Sequence, residues 1–186
     1  MNLKVLSQPT VLETERMVLY PLERSHFNLV MQVMADREIR DGMLMPAHDT
    51  PEKQENWWAR FEEARELGQA VQWAAFLKAS QTYVALMTVK EIDHGSHRGE
   101  LGYSLMKEFW GRGLGTEAAR CVMEFMFDEV NLHRLIAQVL PQNLASQAIV
   151  RKLGFELEAR FHDVHFYEGR YYDLLQFYKI NPHHKK

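Results

Sequence analysis

Phe109-Trp110-Gly111-Arg112-Gly113-Leu114-Gly115-Thr116-Glu117-Ala118 is the stretch on which the reading of this chain turns. Three glycines alternate with other residues and run into a segment with Ala118, Val122, Phe125 and Met126 at helical spacing. The stretch therefore reads as a strand-to-helix loop followed by a helix over about 116–130. Glycines let backbone approach a ligand closely, and the free N–H groups of a first helical turn point at an anion. Two readings follow, a simple tight turn or a cradle for phosphate. A P-loop would need Gly-Lys-Ser/Thr at the helix start, where the chain has Gly113-Leu114-Gly115-Thr116. A dinucleotide fingerprint has G-x-G-x-x-G after the first strand of a parallel unit, whereas this G-x-G-x-G stands in mid-chain. Both alternatives weaken.

Upstream of the loop lie three strand-like runs, 70–78, 83–92 and 99–105, joined by short turns at Ser80-Gln81-Thr82 and 93–97. Such short connections predict an antiparallel meander. Before them come an opening strand over 14–22, with Val18 and Tyr20 alternating against Leu19, and a helix from Ser25 to about Ala35. Thr50-Pro51-Glu52 then marks a helix start that carries Trp57, Trp58 and Phe61 and stops at Gly68. Downstream, 135–139 reads as a buried strand broken by Pro141, and 145–153 as a helix ended by Gly154. The strand-rich remainder turns at Glu168-Gly169. The expected architecture is α/β of the α+β type, a mixed, mostly antiparallel sheet with helices on both faces, in a single domain over 1–186.

The 186 residues, 46% hydrophobic and 25% charged, describe an ordinary globular chain. A net charge of -3 gives no general attraction to nucleic acid or to an anionic membrane. No apolar run approaches the roughly 20 residues a membrane span requires, and the N-terminus lacks a signal-peptide cleavage pattern. Cys121 is the only cysteine, which excludes an internal disulfide and a cysteine-rich zinc site. A cytoplasmic location is expected, with the terminal His183-His184-Lys185-Lys186 as a frayed tail.

Gly102-Tyr103 followed by Phe109 through Ala118 resembles the coenzyme A pyrophosphate loop of the GNAT acetyltransferases. Gln142-Asn143-Leu144-Ala145-Ser146 and Lys152-Leu153-Gly154-Phe155 are similar to the RimJ/RimL branch, which acetylates N-terminal amines of ribosomal proteins and has relatives acting on small amines. The resemblance extends from Thr14 through Asp173, with a coenzyme-binding core over about 98–155. Trp110 stands where the broader family pattern has Gln or Arg, as an aromatic does in this branch.

The resemblance implies acetyl-CoA as cosubstrate, no metal, and a roster of roles. Backbone amides of Arg112, Gly113, Leu114, Gly115 and Thr116 hold the pyrophosphate. The Arg112 side chain either adds charge or is a solvated loop arginine. The strand ending at Leu105 splays from 135–139 and offers backbone groups to the pantetheine arm. Asn143 reaches that arm or only caps a helix. Ser146 lies past the cap position and protonates the departing thiolate. The amine attacks the thioester directly in a ternary complex. Glu100 and His165 are the candidate bases, His165 first, because relatives place a carboxylate there; the alternative for each is an ordinary strand residue. Trp57, Trp58 and Trp73 read as core, Asp173 as structural, and Cys121 as a small buried hydrophobe. A ribosomal-protein N-terminus is the leading acceptor. A small amine (polyamine, amino sugar or antibiotic) is the alternative, and a non-catalytic acyl-CoA-binding module the third. A monomer and a homodimer both remain open.

Overall fold

The computed structural model describes residues 1–184; Lys185 and Lys186, the end of the tail expected to fray, lie outside the described residues. Eight strands form one sheet in the order β1-β2-β3-β4-β5-β6-β8-β7. They are β1 (Leu12–Glu13), β2 (Met17–Pro21), β3 (Val71–Leu77), β4 (Tyr83–Asp93), β5 (Arg98–Leu105), β6 (Arg134–Val139), β7 (Glu156–Tyr167) and β8 (Arg170–Ile180). The helices are α1 (Leu3–Ser7), α2 (Phe27–Ala35), α3 (Arg37–Met43), α4 (Pro51–Glu66), α5 (Leu114–Asp128) and α6 (Leu144–Lys152). Every neighbouring pair of strands is antiparallel except β5 and β6, which run parallel.

The expected meander is present, because its turns are too short for any crossover. Alternation then sends side chains to two faces. Trp73, Met87, Leu101 and Leu105 join the core beneath α5, with Val122 and Met126 from that helix. Ala74 and Leu86 face the other way, into a second core with Val30, Trp58 and Phe61 from α2 and α4. Helices thus cover both faces.

The parallel pair decides where a ligand can enter. Only Arg98, Gly99 and Glu100 of β5 are in register with Arg134, Leu135 and Ile136 of β6. Beyond Glu100 the strands diverge: β5 stays paired with β4 as far as Leu105, while β6 goes on with β8 to Val139. A cleft opens in mid-sheet, lined on both sides by strand backbone.

Several local expectations change. The opening strand divides into β1 and β2, with Thr14 making the turn by accepting from the Met17 amide (2.9 Å). Ser25 does not cap α2; it sits in a short 3-10 turn over Arg24–His26. Thr50 caps α4 as expected, accepting from the Lys53 amide. Two short helices, α1 and α3, were not anticipated, since each buries one residue and shows no apolar stripe. Of the tail expected to fray, the His183 amide donates to Asn181 Oδ1 (2.8 Å), and buried Asn181 in turn donates to the carbonyls of Phe127 and Leu132, both at 2.9 Å. Cys121 is half-buried rather than core.

At the sheet's far edge β7 is exposed along nearly its whole length. Its register with β8 slips twice, between Leu157 and Ala159 and between Phe161 and His165. The second bulge is fixed from β8 by Asp173, which accepts from the Asp163 amide (3.0 Å), Arg160 Nε (2.9 Å) and His162 Nδ1 (3.1 Å).

Candidate active site

The glycine loop lies where β5 hands the chain to α5. Gly113 is the N-cap at φ 77°, a conformation that a β-carbon disfavours, and it brings no side-chain acceptor to the helix end. Among the described residues the amides of Arg112 to Thr116 find no acceptor within the chain, so they are free for an anion at the positive end of α5. Gly115 has a different reason. A β-carbon there would stand 3.1 Å from Leu105 and 3.2 Å from Ile149, so glycine lets α5 pack onto β5 and α6 together.

Arg16 holds the loop in this shape. Its Nη1 donates to the Arg112 carbonyl (3.0 Å), and its Nε and backbone N–H donate to the Glu117 carboxylate (2.6 and 2.9 Å). Burial pushes the Glu117 carboxyl upward, but the Thr14 hydroxyl and Arg16 outweigh it and keep the group below its ordinary range. Trp110, 44% exposed, donates its indole N–H to the Leu105 carbonyl (3.0 Å) and pins the loop to the end of β5. The Arg112 side chain lies against Phe109, 5.6 Å from the ring centroid. Beside the loop is a hollow of about 470 Å³ lined by Thr14, Gly113, Thr116, Arg120 and Lys152 among others. A larger depression of about 710 Å³ lies at the β4–β5 turn, lined by Gln69, Lys90, Glu91 and His94 among others.

The cleft runs from the loop to the start of α6. Asn143 is the N-cap of α6; its Oδ1 accepts from the Ser146 amide at 3.0 Å. The Ser146 hydroxyl is 2.9 Å from the Tyr103 hydroxyl. Tyr103 lies on β5 past the last residue paired with β6, on the face that carries α5 and α6. Burial pushes its phenol up to about 12, against the lowering effect of Ser146, so it stays protonated and able to donate. Tyr103 and Arg16 were both missed as site residues. Tyr103 follows Gly102 on the strand before the loop and carries a local signal, while Arg16 acts across nearly a hundred residues without one.

The two candidate bases are far apart in setting. Glu100 is buried at the closed end of the cleft, on the face opposite Tyr103, with Lys90 Nζ at 3.1 Å. Burial raises its pKa, and Lys90 opposes the rise. His165 sits on exposed β7 opposite Tyr172. The hairpin tip beyond it packs on α3, where the Tyr167 hydroxyl donates to Asp41 (2.9 Å). Gly42 of α3 faces the Asn143 amide, 3.7 Å from where its β-carbon would be.

A free helix N-terminus next to a splayed parallel pair is the arrangement of an acyl-coenzyme A transferase. The acetyltransferase (GNAT) domain family matches residues 16–156, and the chain belongs to that family. It is an N-acetyltransferase that uses acetyl-CoA and acts on amines. An uncharacterized N-acetyltransferase p20 of Bacillus licheniformis is 26% identical over 166 residues, 89% of this chain and 93% of that protein. The structure is similar to ribosomal-protein-S5-alanine acetyltransferase from Vibrio fischeri (TM-score 0.78, 23% identity, 95% of this chain and 99% of that one). It is also similar to spermidine N-acetyltransferase from Vibrio cholerae in complex with CoA and spermine (TM-score 0.80, 17% identity, 89% and 96%). At these identities the two structural likenesses are likenesses of fold.

Proposed function

We propose that this chain acetylates the α-amine of a protein N-terminus, of ribosomal-protein type, by direct attack of the amine on acetyl-CoA in the β5–β6 cleft. The observation that carries the choice of acceptor is the pairing of Glu100 with Lys90 at 3.1 Å. The carboxylate at the closed end of the cleft is already neutralised, so it gives a polycation little attraction. An α-amine titrates at about 7.7–8.0 and reaches the neutral, attacking form near physiological pH, whereas a lysine near 10.4 does not.

In this reading the amides of Arg112 to Thr116 hold the pyrophosphate, and the free backbone of β5 beyond Glu100 pairs with the pantetheine arm. As the amine nitrogen attacks the thioester carbon, the carbon–sulfur bond breaks and the thiolate takes a proton from the Ser146 hydroxyl. Tyr103 hydrogen-bonds to Ser146 and stays protonated, and Ser146 regains its proton from solvent water. The nitrogen gives up its proton to His165 or Glu100, directly or through water. Residues 1–186 act as one domain in the cytoplasm, as a monomer or homodimer.

Thiol release from acetyl-CoA is to be measured with ribosomal-protein N-terminal peptides beside spermidine. Faster turnover of a peptide is expected. A higher kcat/KM for spermidine would transfer the assignment to polyamines. No thiol release with any amine would leave a coenzyme-binding module.

A further inference from the structure

Three imidazoles from separate parts of the chain meet at the foot of the parallel pair. His97 ends the β4–β5 turn, His133 precedes β6, and His184 belongs to the segment after β8. The His184 ring lies 4.9 Å from that of His133, edge to face at 64°, and 5.6 Å from that of His97. Its Nδ1 is buried and finds no hydrogen-bond partner among the described residues. Nor do any three histidine, cysteine or acidic groups among them stand where they could hold a metal ion. The chemistry left to the cluster is its own titration.

Backbone contacts tie the same place together. The His97 carbonyl accepts from the amides of His133 (2.8 Å) and Arg134 (3.2 Å), where the β5–β6 pairing begins. The His133 carbonyl accepts from the Asn181 amide (2.9 Å), and the Asn181 side chain serves the last turn of α5 through the Phe127 carbonyl. Residues 181–184 thus hold both the closed end of the cleft and the far end of the helix that starts at the glycine loop.

Neutral imidazoles pack edge to face as other aromatic rings do, whereas two imidazolium ions at this spacing repel. The groups around them offer little relief. Burial, then the Met1 amine, His184 and His133, hold the His97 ring below its ordinary pKa, and only Asp93 opposes them. That carboxylate is already engaged by the amides of Gly95 (2.8 Å) and Ser96 (3.0 Å) and by Arg98 (3.8 Å). Arg134, next to His133, is paired with Glu158.

We propose that the three histidines form an acid-released clasp: neutral, they hold residues 181–184 against the foot of the β5–β6 pair, and protonated, they part and free it. An opened ring takes up a proton near the ordinary value of about 6.5, whereas His97 in the closed cluster resists one. The open form therefore binds more protons, so the clasp is fully closed above that value and loosens as pH falls below it. One extra proton favours opening about tenfold between pH 7.5 and 5.5. The device is independent of which amine is acetylated.

Hydrogen exchange of the full chain tests it, read by mass spectrometry at pH 7.5, 6.5 and 5.5 and corrected for the intrinsic rate at each pH. In wild type the peptides over 129–136 and from Tyr178 onward are expected to lose protection about tenfold across this range, while β3 and β4 keep theirs. His184→Phe keeps a ring that cannot charge, and should stay protected at pH 5.5. His184→Arg carries the charge permanently, and should be open already at pH 7.5. Unchanged protection in wild type, opening of His184→Phe as in wild type, or full protection of His184→Arg at pH 7.5 each overturns the inference. So does an equal loss in β3 and β4, which would be global unfolding.

Discussion

The Tyr103 and Ser146 hydroxyls meet at 2.9 Å across the cleft, one from a strand and the other from the first turn of α6. The pair joins the two sides of the opening just where β5 and β6 have ceased to pair. It also gives the serine a hydrogen-bond donor at its back, which steadies the serine oxygen as its proton passes to the thiolate.

Ser146→Ala is expected to lower kcat on the order of a hundredfold, the usual cost of losing one donor to developing negative charge, with acetyl-CoA affinity little changed. Tyr103→Phe should lower it less, and the double variant should be no worse than Ser146→Ala alone, because the two hydroxyls act in series. Steady-state rates for the three variants check this. Strictly additive losses would show independent roles.

Gly113→Val is expected to abolish the thermal stabilisation that acetyl-CoA confers, since a branched side chain at φ 77° reshapes the loop and covers its amides. Arg16→Ala leaves the amides in place but frees the Arg112 carbonyl, and should raise the KM for acetyl-CoA several-fold with kcat retained. Melting curves with titrated acetyl-CoA separate the two. An undiminished shift in Gly113→Val would place the coenzyme elsewhere.

What the sequence could disclose followed from distance along the chain. The loop, the meander and the Asn143–Ser146 spacing are local patterns, each bounded by its own glycines, turns or caps. The Lys90–Glu100 ion pair depends on strand register, which periodicity alone leaves open, and the Arg16 clamp on a contact between segments far apart in the chain. α3 escaped because Ile39 is its only buried residue and Gly42 sits inside it.

The choice of base separates by pH. Glu100 is held above the ordinary carboxylate range, first by burial, so as the base it would ionise and accelerate transfer at a higher pH than an exposed glutamate. Glu100→Gln and His165→Ala are to be compared from pH 5 to 9 at saturating acetyl-CoA. Loss of more rate in the histidine variant, partly recovered at high pH, is the expected order. The reverse order assigns the proton to Glu100, and a change of only a few-fold in both means that the amine arrives neutral.

Glu117 gives a stability signature. Its carboxyl is held below the ordinary range, so its contribution is present above the unfolded value of about 4.3 and is lost as pH falls through the folded one. Glu117→Gln should destabilise the protein by about 1 kcal/mol at pH 7, with a difference that vanishes in acid. Urea unfolding at pH 7 and below pH 4 measures it. A pH-independent difference would reduce the ion pair to packing.

The two slips in β7 reach beyond this molecule. An exposed strand carrying Leu157, Phe161, Val164 and Phe166 would offer a straight row of amides and carbonyls as a template for any other chain. Each bulge breaks the repeat and increases the local twist, so an incoming strand finds a few matching groups before it falls out of step. Asp173, by fastening the second bulge through Asp163, Arg160 and His162, thereby acts as a guard against aggregation, keeping the border of the sheet from propagating.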